Sequence, residues 1–304
     1  MAIKKLIIRG IMSLILCVNA YPSFSNIEDR YPNCSEFTNS DGAITYTGGD
    51  GNNFCRLSSE MTKFKLYYIS LCQEQPTVQN FRTVCSPLFD NANGKEVSLS
   101  INTQVSLADE VTLREGTYSY AAILVGSTSS FSIKKKFSPA RTGKTGTGEW
   151  CWTLDAVITD ARYPGASGNI ADCGATPPAL IGTQVFSSHA AYPSAALGFT
   201  SSRTGSNEVG SYILHYLLSD ETLTSGVSTD YSTWPETKYL LGIQTFNTPV
   251  TISPNTTNIN TGFLLTNAYD VGVMGATNTG INIFSPSNFG FKIISNNFFS
   301  YTFR

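Results

Sequence analysis

Two histidines are the only side chains in this sequence that ordinarily titrate near neutral pH, so a hydrolytic site would have to use one of them as its base. His189 lies in a predicted Ser-Ser-His-Ala-Ala loop, and His215 lies in a predicted strand at 212–218. The Gly-x-Ser-x-Gly turn that exposes a nucleophilic serine is absent. Ser132 and Lys135 have a Ser-x-x-Lys spacing, but on a strand they would point to opposite faces. We therefore expect structural or solvated histidines, no catalytic residues and a protein that is not an enzyme.

Two further patterns resemble ligand-binding motifs only in their residue types, and a thiolate metal site has no matching pattern. Gly143, Lys144 and Thr145 imitate the end of a phosphate-binding loop, but position 138 is Ser rather than Gly and no helix is predicted to follow. Residues 48–52 resemble one turn of a calcium-binding repeat, which binds only when stacked in copies, so a hairpin turn is favoured. There is no Cys-x-x-Cys pair, and the histidines are far apart. The sequence therefore predicts no cofactor and no metal.

The aromatic residues are the better candidates for binding. Trp and Tyr rings can stack on sugar rings at a low cost in conformational entropy. The candidates lie in or near segments predicted to be rich in loops: Trp150, Trp152, Tyr192 and Trp234. Trp150 and Trp152 flank Cys151 at a spacing of two, so on a strand they share a face. Packing beside a disulfide is the alternative for these two residues, and the sequence favours it.

The first twenty-five residues have the pattern of an export signal. Three basic residues open the segment: Lys4, Lys5 and Arg9. An apolar run at 11–18 follows, and small residues then mark cleavage after Ser25 or, as the alternative, after Ala20. The run is too short to span a bilayer, and no later run is long enough to do so as a helix. The sequence predicts a signal peptide at 1–25 and a protein exported to the cell surface or the extracellular space, with the outer membrane or periplasm as alternatives.

Six cysteines remain after the signal, which is an even number in an oxidising compartment. They are Cys34, Cys55, Cys72, Cys85, Cys151 and Cys173. Fifteen connectivities are possible. Proximity along the chain favours three short loops: Cys34 with Cys55, Cys72 with Cys85, and Cys151 with Cys173.

The charge of the mature chain excludes one class of partner. Without residues 1–25 the chain has 17 basic and 22 acidic residues, a net charge of about −5. Such a surface repels polyphosphate, so nucleic acid is not an expected partner. Only 14% of the residues are charged and 12% are aromatic, which is typical of exported β proteins.

Alternating apolar residues predict strands at 62–71 and 96–101 and a hairpin formed by 121–125 and 130–137. No window has a persuasive helical period. We predict an all-β protein with an antiparallel β-sandwich of Ig-like or transthyretin-like type. Its N-terminal strands would lie in 26–138 and its C-terminal strands in 211–304, around a loop-rich insertion at 139–210 that Cys151 and Cys173 tie together. A division into two domains within 140–210 is the alternative.

One short motif carries a resemblance to a known group of domains. Leu113-x-x-Gly116-Thr117-Tyr118-x-Tyr120 resembles the Leu-x-x-Gly-x-Tyr step of bacterial transthyretin-like and Ig-like surface modules. The resemblance covers about residues 60–137 and implies a sandwich exported to the cell surface. It carries no catalytic residues, and the cysteine-tied insertion departs from it.

These patterns favour a non-enzymatic structural or adhesive protein of the cell surface, with itself or other surface proteins as partners. The alternating Phe299, Tyr301 and Phe303 could form an edge strand through which copies assemble. The second hypothesis is a protein that binds or cleaves glycans, using the loop aromatics. The third is a small outer-membrane barrel, for which the same C-terminal alternation is the motive.

Overall fold

The computed structural model describes residues 32–47, 54–100, 114–158, 171–187, 202–207, 210–219, 222–223, 237–253, 259–264, 269–274, 280–286 and 290–295. Several sequence predictions lie outside these residues: the signal peptide at 1–25, residues 48–52, His189, Tyr192, Trp234, Phe299, Tyr301 and Phe303. Among the described residues, no helix has the length and hydropathy needed to cross a membrane.

The described residues are mostly strand, which confirms the predicted all-β class. The strands are β1 (Phe54–Leu57), β2 (Met61–Cys72), β3 (Cys85–Leu99), β4 (Gly116–Ser132), β5 (Lys134–Thr142), β6 (Thr147–Thr153), β7 (Ala156–Ile158), β8 (Ala171–Gly174), β9 (Gln184–Ser187), β10 (Ser202–Asn207), β11 (Gly210–Ser219), β12 (Thr222–Leu223), β13 (Tyr239–Ile252), β14 (Ile259–Leu264), β15 (Tyr269–Met274), β16 (Gly280–Pro286) and β17 (Gly290–Ser295). Helical structure within this part of the chain is limited to a 3₁₀ turn at Cys34–Phe37 and the single-turn helix α1 at Phe81–Val84.

Most of the long strands form a nine-stranded sheet with the order β10-β11-β13-β4-β2-β3, to which β12, β9 and β7 are added at the side. Each face of this sheet has a core of buried side chains. Leu66, Ile69 and Ile123 belong to the core on one face, whereas Tyr68 and Phe81 belong to the core on the other. Phe81 of α1 packs edge-on against Tyr68 with ring centroids 5.4 Å apart, so the short helix covers this second face.

The smaller, six-stranded sheet has the order β1-β15-β16-β5-β6-β8, and its inner face packs around a third core. A buried chain of hydroxyl groups connects the two sheets. The Tyr269 hydroxyl lies 2.6 Å from Oγ1 of Thr62, which lies 2.8 Å from Oγ of Ser59. Burial raises the pKa of Tyr269 to about 12. Strands from before residue 139 and after residue 210 pair in both sheets.

Three disulfides join Cys34 to Cys55, Cys72 to Cys85 and Cys151 to Cys173, as proximity along the chain predicts. In the second and third, the two cysteines are directly opposed on paired antiparallel strands. A disulfide of this kind sets the pairing register as well as holding the strands together.

One local prediction is wrong. The hairpin expected to turn at 126–129 does not form, because β4 continues through this segment, with β2 along one side and β13 followed by β9 along the other. The described part of 139–210, the stretch expected to be rich in loops, contains β6, β7, β8, β9 and β10, while residues 159–170, 188–201 and 208–209 of this stretch lie outside the described residues. These strands are three to seven residues long and rich in small side chains, so the sequence shows little alternation there.

Candidate functional site

The site that the structure builds lies on the outer face of β5, β6 and β8. Trp150 and Trp152 are on β6, on either side of Cys151, whose side chain is buried in the core with 0% exposure. Because successive strand residues point to opposite faces, both tryptophans point away from that core. The two rings therefore share the outward side of the sheet, as their spacing predicts.

The pairing register supplies the neighbours of the tryptophans. Residues directly opposed in an antiparallel ladder lie on the same face. Lys134 and Asp172 are opposite Trp152, while Lys136 and Gly174 are opposite Trp150. We call this set the tryptophan face: Lys134, Lys136, Trp150, Trp152, Asp172 and Gly174. All six residues are half-buried, so each keeps part of its surface in contact with solvent.

A glycine makes room for one of the two rings. A Cβ atom placed on Gly174 would lie 3.1 Å from Cη2 of Trp152, closer than nearly all real contacts of this kind. The Trp152 ring therefore reaches diagonally over β8 at Gly174. A larger residue at position 174 would displace the ring.

Basic groups flank the aromatic surface. The Lys136 ammonium lies 3.5 Å from the Glu149 carboxylate. Exposed ion pairs of this kind contribute only about 0–1 kcal/mol, so they can be exchanged for a ligand at little cost. The lysines of the face can therefore offer N–H donors to a bound molecule.

Asp172 holds the turn between β5 and β6. Its carboxylate accepts hydrogen bonds of 2.9 Å from the backbone N–H groups of Thr145, Gly146 and Cys173, and one of 2.5 Å from the Thr145 hydroxyl. Burial alone would raise the pKa of Asp172, but these hydrogen bonds together lower it. The N–H groups that a phosphate-binding loop would present to its ligand are thus donors to a side chain of the protein itself. Asp172 serves to position the turn, not to transfer protons.

The remaining sequence candidates are not brought into this site. His215 is half-buried on β11 of the other sheet, and burial lowers its pKa. Its Nδ1 has no hydrogen-bond partner among the described residues. Lys135 is engaged with Glu60, while Ser132 is buried at the end of β4. No group of three or more His, Cys, Asp or Glu side chains that could hold a metal ion occurs in the described part of the chain.

Sequence reasoning missed Lys134, Lys136 and Asp172 as members of the site. The signal that could have found Asp172 is the disulfide between Cys151 and Cys173. If these cysteines are directly opposed, antiparallel pairing places Asp172 beside Trp152. No comparable signal in the sequence places the two lysines, because their register depends on the pairing of β5 with β6.

Fold and site together define a class: an all-β protein with three disulfides and an outward face of tryptophans flanked by lysines. No protein-family model matches the chain, and neither a curated protein nor a solved structure matches it. Its function must therefore be argued from the chemistry of these residues.

Proposed function

We propose that this is a non-enzymatic, exported protein that serves as an adhesive or structural component at the cell surface or in the extracellular space, and that the tryptophan face is its binding surface. The observation that carries the proposal is the placement of Trp150 and Trp152 side by side on an outward sheet face. Partly exposed tryptophans on a rigid sheet offer a large contact area that needs little ordering on binding.

Export is supported by the disulfides and by the signal pattern at 1–25. Disulfides persist in oxidising compartments and are rare in the cytosol of most organisms. The three disulfides here close short loops, with sequence separations of 21, 13 and 22. A protein stabilised in this way is suited to work outside the cell, where no chaperone can refold it.

Glycans are the ligand class that this face suits best. The tryptophan rings can stack against the C–H faces of sugars, while Lys134 and Lys136 donate hydrogen bonds to hydroxyl groups. Cleavage would need two free carboxyl groups across a cleft. The acids closest in sequence and register are Asp172, which holds the turn, and Glu149, which pairs with Lys136. Binding without cleavage is therefore the activity that we propose.

A glycan and polysaccharide binding screen on the oxidised mature chain, starting at Asn26, tests the proposal. The variants are Trp150→Ala, Trp152→Ala and the double variant. Truncating a tryptophan at the centre of a binding surface typically costs about 2 kcal/mol, or roughly thirtyfold in affinity. Tyr239→Ala is the matched control, because Tyr239 is a half-buried aromatic on the other sheet, packed edge-on against Tyr67.

The expected result is retention of at least one glycan class by the wild type and the control, with a loss in each tryptophan variant. Circular dichroism must show that all variants remain folded. Equal binding by the double variant would place the contact surface elsewhere. Failure of the wild type to bind any glycan would overturn glycan recognition, and a purely structural role would then be the one to test.

A further inference from the structure

The ends of the two large sheets decide whether this chain can pair with another chain. The six-stranded sheet ends at β1 and β8, and the main path of the nine-stranded sheet ends at β3 and β10. An edge strand presents unpaired N–H and C=O groups, which join another strand unless the edge is covered, charged or bent. These four edges differ in how well they are protected.

The β1 edge is covered by the segment that precedes it. The backbone N–H of Arg56 donates to the carbonyl of Pro32 at 2.8 Å, and Asn33 forms a β-bridge with Arg56. The disulfide between Cys34 and Cys55 holds this segment in place. An incoming strand would have to displace it.

The β8 edge is closed by the turn between β5 and β6. The Lys144 N–H donates to the carbonyl of Ala171 at 3.0 Å, and the Cys173 N–H donates to the Asp172 carboxylate at 2.9 Å. Two of the backbone groups of β8 on this edge thus already have partners within the protein. This strand is also only four residues long.

The β3 edge is protected by its composition and shape. Pro87 cannot donate a hydrogen bond, and Asp90, Lys95 and Glu96 add charges along the strand. Its register with β2 shifts twice, and Gly94 has a positive φ of 70°. An edge that is charged and irregular in this way is a poor template for another strand.

Within the described part of the chain, the β10 edge has no covering segment, no closing turn and no irregular register. Its six residues pair with β11 in an unbroken register from Ser202 with His215 to Asn207 with Gly210. The sequence Ser-Arg-Thr-Gly-Ser-Asn contains no proline and no acid, and Arg203 is its only charge. No described strand lies on the other side of β10, and the Thr204 side chain is exposed.

We propose that β10 pairs antiparallel with β10 of a second copy of this chain, which would make the nine-stranded sheets of the two copies continuous. Directly opposed residues lie on the same face of a sheet, so the two-fold axis must pass through a residue that pairs with its own copy. An axis through Thr204 pairs this residue with Thr204 of the second copy and places Arg203 of each copy opposite Gly205 of the other. The arginines are then not directly opposed, and no like charges face each other across the ladder. A second copy is therefore a partner whose charges fit this edge.

Among the four edges of the two large sheets, β10 is the least protected, and pairing through it gives a dimer. Two-fold pairing uses the same surface on both copies and leaves none free for a third. Residues 202–206 on each side make a small interface, so the dimer is expected to be weak and concentration-dependent. This inference does not depend on glycan binding, since the tryptophan face is on the other sheet.

Sedimentation velocity of the oxidised mature protein over a concentration series tests the proposal, with Thr204→Lys as the variant. This change adds a lysine from each copy close to the two-fold axis, where like charges repel. Thr251→Lys is the matched control, because Thr251 is an exposed threonine on β13, away from β10. We expect a monomer–dimer equilibrium whose dissociation constant rises at least tenfold in Thr204→Lys and is unchanged in Thr251→Lys.

Amide hydrogen exchange supplies a second readout that does not depend on a variant. Exchange of the amides in 202–207 should slow as the protein is concentrated, while that of β3 should not change. The proposal is overturned by a monomer at every concentration, by filaments, or by a dimer that Thr204→Lys leaves intact. Thermal unfolding of both variants must match the wild type, so that a change in assembly cannot be attributed to misfolding.

Discussion

Replacing Cys151 and Cys173 together by alanine tests what holds the tryptophan face in place. The two cysteines are directly opposed on β6 and β8, with 0% and 2% of their surface exposed. Their disulfide lies directly behind the two tryptophans. Changing both residues avoids a free thiol that could exchange with the other disulfides.

The expected loss follows from the length of the loop that the disulfide closes. The sequence separation is 22, for which the chain-entropy relation gives a loss of about 11 cal/mol/K in the unfolded state, or about 3.4 kcal/mol at 25 °C. The same relation gives about 2.9 kcal/mol for the shorter Cys72–Cys85 loop, whose separation is 13. We therefore expect Cys151→Ala/Cys173→Ala to be the more destabilising pair by a small margin.

Urea unfolding measures this loss, followed in parallel by far-ultraviolet circular dichroism and tryptophan fluorescence. Trp150 and Trp152 are two of the three tryptophans in the chain, so the fluorescence reports mainly on this face. The m-value should rise, because an unfolded chain without the cross-link exposes more surface. A loss below about 1 kcal/mol, with the wild-type disulfide verified by mass spectrometry, would refute the assignment of this bond as a main constraint on the chain.

Two further variants test polar side chains that form hydrogen bonds within the protein. Asp172→Asn should destabilise the protein by about 2 kcal/mol at pH 7, because the amide lacks the negative charge that strengthens these bonds and its nitrogen cannot accept from the Thr145 hydroxyl. Since the folded-state pKa of Asp172 lies below its ordinary value of 3.8, its contribution is present above that pH and is lost as the pH falls through the folded-state pKa. Urea titrations should therefore show the gap to the wild type closing in acid, and a gap independent of pH would contradict this role. Tyr269→Phe removes the hydroxyl that contacts Thr62 between the sheets and should cost about 1 kcal/mol in the same assay, whereas an unchanged midpoint would show that this hydrogen bond adds nothing.

Much of the fold was within reach of the sequence because the relevant signals are local. The alternation at 62–71 predicts a strand, and β2 occupies Met61–Cys72. The disulfide pairs were predictable because short loops lose least entropy on closing. The prediction of a hairpin at 126–129 was wrong because the conformation of this segment is not set by local signals. Whether a polar stretch turns or continues depends on its neighbours, and here β2 lies along one side of β4 while β13 and then β9 lie along the other.

The strand-rich class, the three disulfides and the shared face of Trp150 and Trp152 could all be predicted from the order of the residues, because composition, proximity along the chain and a period of two need no knowledge of which strands pair. Folding brings Lys134 and Lys136 beside these rings, makes Asp172 hold the turn, and leaves β10 less protected than the other three edges of the two large sheets. Register and sheet order depend on which strands meet, and strands far apart in sequence meet only when the whole chain has folded.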